Sequence, residues 1–447
     1  MSQGSGKRKK IYPKRVSGTF RTIRWSVSAV LLGAYFILPW LRLDGRQALL
    51  FDIPGRKFYI FNLIIWPQEV YYLAFLIIFL VIAFFMFTAV AGRLWCGYAC
   101  PQTVFTDIFM SMERMIEGDR RERMRLDEAP WTAGKFLKKA LKHGAWLVFS
   151  FATAFTFLAY FTGSDRLLER LVGLNLTPSD IFWLGLFTLA TYGDCGFLRE
   201  LMCLVPCPYG RFQSALFDQD TLIIGYDAGR GEPRGPARKQ GGEGRGDCVD
   251  CTLCVQVCPT GIDIRDGLQY ECIACAQCID ACNMVMRKLG RPEGLIRYGS
   301  LRSLTEGAGR ILRPRVVVYA LVLVVLLGAM VYKLGTRVPL DLEVQRDRRS
   351  LYQTTSDGRL SNVYTIKAMN MDSAPHRYMI RVKGIEADII TGTNPILVGS
   401  GEVYRTTLVL IAERERLKSR VNPFLFVIED VDDPRLKAAR KSTFLMP

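Results

Sequence analysis

Five apolar runs limit what this chain can become. They cover about 22–40, 69–92, 141–162, 179–197 and 315–333. Each is close to the roughly 20 residues that cross a hydrocarbon core as a helix. Lipid offers no hydrogen-bond partner, so a run such as "EVYYLAFLIIFLVIAFFMFTAVAG" (69–92) must satisfy its backbone internally. A five-span helical membrane domain is therefore expected. The fourth span is the weakest, because Thr191, Asp194 and Cys195 interrupt its end. The first span is too long for a cleavable leader and lacks a small-residue cleavage site.

Of the 447 residues, 59 are Lys or Arg and 42 are Asp or Glu, a net charge of +17. Such a balance can signal nucleic acid, but basic inner loops of a membrane protein explain it here. The first fifteen residues, "MSQGSGKRKKIYPKR", carry six basic residues and no acid. The 93–140 and 199–313 segments are also rich in Lys and Arg, whereas 41–68 and 163–178 are poorer. This predicts a cytoplasmic N-terminus, an outside tail at 338–447 and residence in a bacterial inner membrane. All 13 cysteines precede residue 283. They fall on or near the reducing side, which favours metal or redox use over disulfides.

Eight of them form "CVDCTLCVQVCPTG" followed by "CIACAQCIDACN" (248–283). Each reads C-x2-C-x2-C-x3-C, the run of a bacterial-type two-[4Fe–4S] ferredoxin. Three thiolates two residues apart wrap one cluster, and the fourth points to the other. The spacing assigns Cys248, Cys251, Cys254 and Cys282 to one [4Fe–4S] cluster and Cys272, Cys275, Cys278 and Cys258 to the second. Zinc modules use isolated C-x2-C pairs rather than interleaved runs. The preceding stretch, 227–246, is rich in Gly, Arg and Pro and reads as a flexible tether; it has no strand–GxGxxG–helix context. Without a Walker sequence or nicotinamide fingerprint, electrons must come from a cytoplasmic partner protein or a membrane quinol.

Two further pairs stand apart, in "WCGYACPQTVF" (95–105) and "LMCLVPCPYGRF" (201–212). Both read C-x3-C-P, both follow a span, and both place Phe five residues on, at Phe105 and Phe212. Two hairpins ending alike form a weak internal repeat. On a helix, positions i and i+4 share a face. Packed side by side, the hairpins would bring Cys96, Cys100, Cys203 and Cys207 together as soft ligands for Cu(I), zinc or iron–sulphur. A structural metal staple and plain packing are the alternatives. Cys195, alone near the end of span four, reads as packing.

Haem is set aside. The two histidines, His143 at the edge of span three and His376 in the tail, cannot share one haem, and no C-x-x-C-H is present. His143 reads as structural. Met110, Met112 and Met115 read as packing or membrane contact. The charged stretch 117–128 reads as a solvated cytoplasmic loop, with lipid head groups or an acidic carrier protein as its functional alternative. In the tail, "HRYMIRVKGI" alternates Tyr378, Ile380 and Val382 with Met379, Arg381 and Lys383. With "YRTTLVLIAE" and "NPFLFVIEDV" it predicts a β-sandwich that binds or assembles.

Several stretches resemble the CcoG/FixG/RdxA family of cytochrome c oxidase accessory proteins. They are "GRQALLFDIPGRKFYIF" (45–61), "WCGYACPQTVFTD" (95–107), "CPYGRFQSALFDQDTLIIGYD" (207–227), "GLIRY" (294–298) and the ferredoxin run. The resemblance covers nearly the whole chain. It implies an immunoglobulin-like periplasmic tail and a role in assembling a cbb-type oxidase, with assembly factors or copper carriers as partners. It further implies reduction of Cu(II) to Cu(I), with Cys96, Cys100, Cys203 and Cys207 as the copper site and catalytic centre. "GDCGF" (193–197) departs from the family pattern, so Cys195 inherits no role.

The expected layout is a basic N-terminus at 1–21, a four-span domain at 22–226, a linker at 227–246, the ferredoxin-like domain at 247–290, a connector at 291–314, the fifth span at 315–333 and the tail at 338–447. The expected function is cupric reduction. A quinol-oxidising electron-transfer subunit and a non-enzymatic assembly scaffold are the alternatives.

Overall fold

A computed structural model describes residues 10–236 and 246–447, except Asp44, Asn62, Ala308, Arg348, Arg349, Ser350, Ser356, Asp357, Ser373, Thr391 and Gly392. The chain forms two compact units, Met1–Leu41 with Phe75–Leu327, and Arg42–Ala74 with Gly328–Pro447.

Among the described residues, five helices are long and apolar enough to cross a membrane: Thr19–Trp40, Val70–Ala91, Ala133–Thr162, Pro178–Leu198 and Pro314–Gly335. Span four starts where Thr177 caps it, its hydroxyl accepting from the Asp180 N–H, with Pro178 in the first turn, where no N–H is missed. Its weak end is a π-helical turn, Asp194–Leu198, which leads into Arg199 at φ 42°. Such a φ costs a non-glycine residue about 1–3 kcal/mol and collects at functional sites. Arg199 is held there by bonds to the Gly196 carbonyl (3.0 Å) and to Glu113 (3.1 Å). Spans three and four pack through Ala154, Leu158, Ala159 and Leu184. Tyr35 of span one donates to the Thr153 carbonyl, and Tyr160 donates back to the Tyr35 carbonyl, each at 2.8 Å.

The 117–128 stretch is not a solvated loop. Helix Pro101–Glu117 ends in it and helix Arg120–Glu128 fills the rest, with Glu117 and Arg123 buried. Partners far along the chain neutralise these charges. Glu113 meets Arg123 at 3.2 Å and Arg199 at 3.1 Å, and Glu117 meets Lys142 and Lys139 at 2.9 Å each. Burial works against the Glu113 charge, yet Arg199 and Arg123 hold its carboxyl below the usual range. Residues 10–18, expected only as a basic tail, form a strap on the ferredoxin-like region. The Lys14 N–H donates to the Gln256 carbonyl (2.8 Å), and Val16 packs on Val257 and Ala281. The described ends of the 227–246 stretch are tied together, with the Gly235 N–H on the Cys248 carbonyl (3.1 Å) and the Asp247 N–H on the Arg230 carbonyl (2.9 Å). Its centre, 237–245, lies outside the described residues, as do residues 1–9.

The second unit is an immunoglobulin-like sandwich. In one sheet Leu360–Asn370 pairs with Val403–Ala412 and Leu340–Arg346, and in the other Val421–Asp430 lies between His376–Lys383 and Lys437–Leu445. The expected alternation holds: Tyr378 and Ile380 are buried, Arg381 and Lys383 exposed. Tyr364, Ile366, Leu408, Phe426 and Phe444 join them in the core. Asn362 clasps the sheets by bonding both backbone groups of Leu445. The 42–74 segment contributes short strands that pack on the tail. Ile64 and Trp66 meet Met371, and Arg337 pairs with Glu69 at 2.6 Å.

His376 in this sandwich makes a pH-dependent contribution. Burial alone would lower its pKa, but hydrogen bonds to Asp372 (3.0 Å) and Asp430 outweigh that and raise it. A raised folded value means stability that is complete below the unfolded pKa of about 6.5 and fades as pH rises through the folded value. Hydrogen exchange in strand His376–Lys383, corrected for intrinsic rate, is expected to show protection falling above about pH 6.5. His376→Asn should flatten that profile, and an equal slope in both proteins would refute the assignment.

Candidate functional site

The ferredoxin-like region is built twice. Cys248–Cys254 and Cys272–Cys278 each hold two left-handed non-glycine residues flanking the middle cysteine: Asp250 (φ 50°) and Thr252 (54°) in the first, Ala274 (55°) and Ala276 (58°) in the second. This alternation curls the backbone so that successive N–H groups face inward, a nest for a negatively charged group. A helix leaves each curl, Leu253–Gln256 and Gln277–Lys288, and strands Ile223–Tyr226 and Ile296–Gly299 pair beside them.

Two cavities result. One is lined by Cys248, Cys251, Cys254 and Cys282. The other is lined by Cys258, Cys272, Cys275 and Cys278, with Cys254 in the shared wall. Buried thiols gathered in this way resist ionisation. Burial first, then neighbouring groups, push Cys272 and Cys282 up to about 12 each and Cys254 up to about 11. Cationic iron is what such a set requires to stay ionised, so the donors and their number fit two [4Fe–4S] cores. Cys251 is exposed and Cys275 buried, so one cavity lies near the surface and the other deep.

The deep cavity abuts the first C-x3-C-P motif. Arg93 donates to the Tyr270 carbonyl, to the Gly210 carbonyl at 2.7 Å and to the Cys272 carbonyl at 3.5 Å. One guanidinium thereby ties together the ends of both membrane hairpins and the second ferredoxin run. Tyr298 donates to the Ala274 carbonyl (2.7 Å), and its oxygen lies 3.2 Å from that of Tyr98. Gly97 touches the same loop. A Cβ there would lie 2.8 Å from the carbonyl oxygens of both Ile273 and Ala274.

The two motifs share one backbone design, though not the single helix face expected from i, i+4 spacing. Cys96 lies in helix Leu94–Tyr98 and Cys203 in helix Glu200–Leu204; both helices stop before the second cysteine. Cys100 and Cys207 are extended (ψ 127° and 110°) because the residue before proline is driven out of the helical region. Pro101 and Pro208 then open new helices, so Cys100 and Cys207 sit at helix N-termini.

Cys96, Cys100, Cys203 and Cys207 lie within electrostatic reach of one another, each with at least two of the others. Burial, then neighbouring sulphur, pushes Cys96 and Cys203 up to about 12, and burial also raises Cys100. The Cys96 sulphur is 3.6 Å from Nε2 of the buried Gln213. Among the described residues no three His, Cys, Asp or Glu side chains stand close enough to hold a single metal ion. That applies equally to the eight ferredoxin cysteines, whose thiols ring a cavity rather than a point. The quartet is thus a gathered set of soft donors, not a closed single-ion cage. Cys195 stays outside it, buried with Phe109 and Trp146. The repeat ends at its phenylalanines: Phe105 packs on Tyr35 and Phe149, whereas Phe212 is exposed. Met110 is buried and Met115 exposed, so the three methionines make no common ligand patch.

Known proteins match this layout. Residues 198–301 match a family described as "4Fe-4S dicluster domain", residues 330–447 one described as "IG-like fold at C-terminal of FixG", and residues 73–116 one described as "4Fe-4S binding domain". The last segment holds only Cys96 and Cys100. The chain is a membrane iron–sulphur redox protein. It is 42% identical to Protein RdxA of Cereibacter sphaeroides, over 87% of this chain and 84% of that one. It is 40% identical to Nitrogen fixation protein FixG of Rhizobium meliloti, over 85% and 80%, and 40% identical to Protein RdxB of Cereibacter sphaeroides, over 97% and 92%. The chain belongs to the FixG/RdxA family.

Proposed function

We propose that this protein reduces Cu(II) to Cu(I) at Cys96, Cys100, Cys203 and Cys207, supplying copper for assembly of a cbb-type cytochrome c oxidase. One observation carries the reading: Arg93, just ahead of the first C-x3-C-P motif, bonds both to Gly210 just after the second and to the carbonyls of Tyr270 and Cys272 in the ferredoxin loop. We assign Cys248, Cys251, Cys254 and Cys282 to one [4Fe–4S] cluster and Cys258, Cys272, Cys275 and Cys278 to the other; when bound, they supply single electrons. The chain's own groups do the rest. Thiolates prefer Cu(I) to the harder Cu(II), so the quartet favours product. Cys100 and Cys207 each stand at the start of a new helix, Pro101–Glu117 and Pro208–Leu216, which fixes where the second sulphur of each motif sits. Gln213 positions Cys96, and Gly97 lets the motif approach the ferredoxin loop without an intervening side chain. In this reading the N-terminus and ferredoxin domain are cytoplasmic, the immunoglobulin-like domain is periplasmic, and copper carriers or oxidase assembly factors receive the product.

The test uses purified full-length protein, reduced anaerobically with dithionite and freed of excess reductant. Adding Cu(II) is expected to reoxidise the iron–sulphur absorbance and to yield one Cu(I) per electron held, trapped with a Cu(I)-specific chelator. Iron content should be about eight per chain for two clusters; about twelve would place a third cluster in the quartet and remove the copper assignment. Reduced protein that ignores Cu(II) would also overturn the proposal.

A further inference from the structure

Beside the deep ferredoxin cavity lies a much larger one, of about 750 Å³. Its walls come from span three with His143 and Trp146, the π turn with Phe197, the helix after it with Leu201, the ferredoxin loop from Thr260 to Glu271, and Lys10 and Ile11 of the N-terminal strap. Small-molecule sites occupy roughly 300–1,000 Å³ and combine apolar walls with a few placed polar groups. Nothing in the reading above uses this space.

Three features describe its ligand. First, Thr260 and Ile262 line both this cavity and the one ringed by Cys258, Cys272, Cys275 and Cys278. The Thr260 hydroxyl lies 3.3 Å from the Cys258 sulphur. A molecule held here is one side chain away from a cluster ligand. Second, the walls suit a flat ring at the end of a membrane span. His143 stacks on Phe197 at an interplanar angle of 15°, Trp146 meets the imidazole edge-on, and Phe197, at the end of a membrane-length helix, is 60% exposed. Third, there is a base. Nδ1 of His143 lies 2.9 Å from the Tyr192 hydroxyl, and Nε2 makes no hydrogen bond among the described residues. In the tautomer whose Nδ1–H donates to Tyr192, Nε2 is free to take a proton. Among the described residues the cavity cations are already paired: Lys10 with Asp127, Lys139 and Lys142 with Glu117, and Arg199 with Glu113. A phosphate-bearing donor finds no unpaired cation among them.

We propose that this cavity binds a membrane quinol and that the quinol is the protein's electron donor. The inference rests on the reading of the chain as an iron–sulphur electron carrier and names what fills it. The balance is simple. Oxidation of one hydroquinone to quinone releases two electrons and two protons. Each of the two oxidised clusters accepts one electron. One proton goes to Nε2 of His143, the other to water in the open cavity.

The experiment uses full-length protein in lipid nanodiscs under nitrogen, with decylubiquinone as binding probe and decylubiquinol as reductant. Wild type is expected to bind the quinone by titration calorimetry and to show the reduced-cluster paramagnetic signal after quinol addition. His143→Gln should keep binding within about threefold and slow cluster reduction on the order of 100-fold, the usual worth of a positioned base. Leu201→Trp should narrow the cavity and weaken binding, and Phe197→Ala, which removes the stacking wall, should weaken it too. All three variants should retain wild-type iron and full reduction by dithionite, which separates a lost site from a lost fold. No quinone binding by wild type, or quinol reduction unchanged in His143→Gln and Leu201→Trp, overturns the proposal. Dithionite-primed reduction of Cu(II) tests the copper reading without any quinol, so either can fail alone.

Discussion

Replacing Cys96, Cys100, Cys203 and Cys207 together with serine is expected to cut copper reduction by more than about 100-fold. Even loss of a group that merely supports a metal ligand costs about 10–100-fold, and here every soft donor is removed. Serine keeps the shape but offers a hard hydroxyl that does not ionise near neutral pH. The eight ferredoxin cysteines are untouched, so iron content and the dithionite-reduced signal should not change. Cu(I) formation measured beside iron content checks this. A variant that reduces copper at the wild-type rate would remove the quartet from the reaction.

The second large effect is expected from Gly97→Val. The carbonyl oxygens of Ile273 and Ala274 would face a new carbon at 2.8 Å, and neither can easily yield. Ala274 is already left-handed and its carbonyl is bonded by Tyr298. The helix Leu94–Tyr98 must therefore move off the loop. A displacement near 1 Å can cost on the order of 100-fold in a step that needs close placement, and overpacking costs about 1–3 kcal/mol of stability. The clusters should still assemble and accept electrons from dithionite, while their reoxidation by Cu(II) slows. Gly134→Ala, with open space around it, is the control. Reoxidation kinetics as fast as that control would show that this contact does not matter.

What could be read from the sequence was what repeats locally. Apolar runs of span length, two identical cysteine runs and the alternation around Tyr378 and Ile380 are visible within a short window. The family resemblance carried the rest of the architecture. What escaped depends on residues far apart in the chain. Nothing near Arg93 says that it will bond to the Tyr270 and Gly210 carbonyls. The 117–128 stretch looked solvated because it is charged, but Lys139 and Lys142 lie beyond any local window. The cavity that His143 lines could not be read from its neighbourhood in the chain, because Phe197 and Thr260 come from distant segments. The i, i+4 argument put Cys96 and Cys100 on one helix face, but the proline immediately after the pair, which forces the second cysteine out of the helix, took precedence.

The twin C-x3-C-P construction also bears on how such a protein can change over generations. On the copper reading we propose, neither hairpin carries a complete set of donors. A chance substitution in one motif leaves the other with nothing to complete, so the surviving half no longer has a function to preserve. The two stretches are separate in the gene but form one heritable unit, and neither can drift alone.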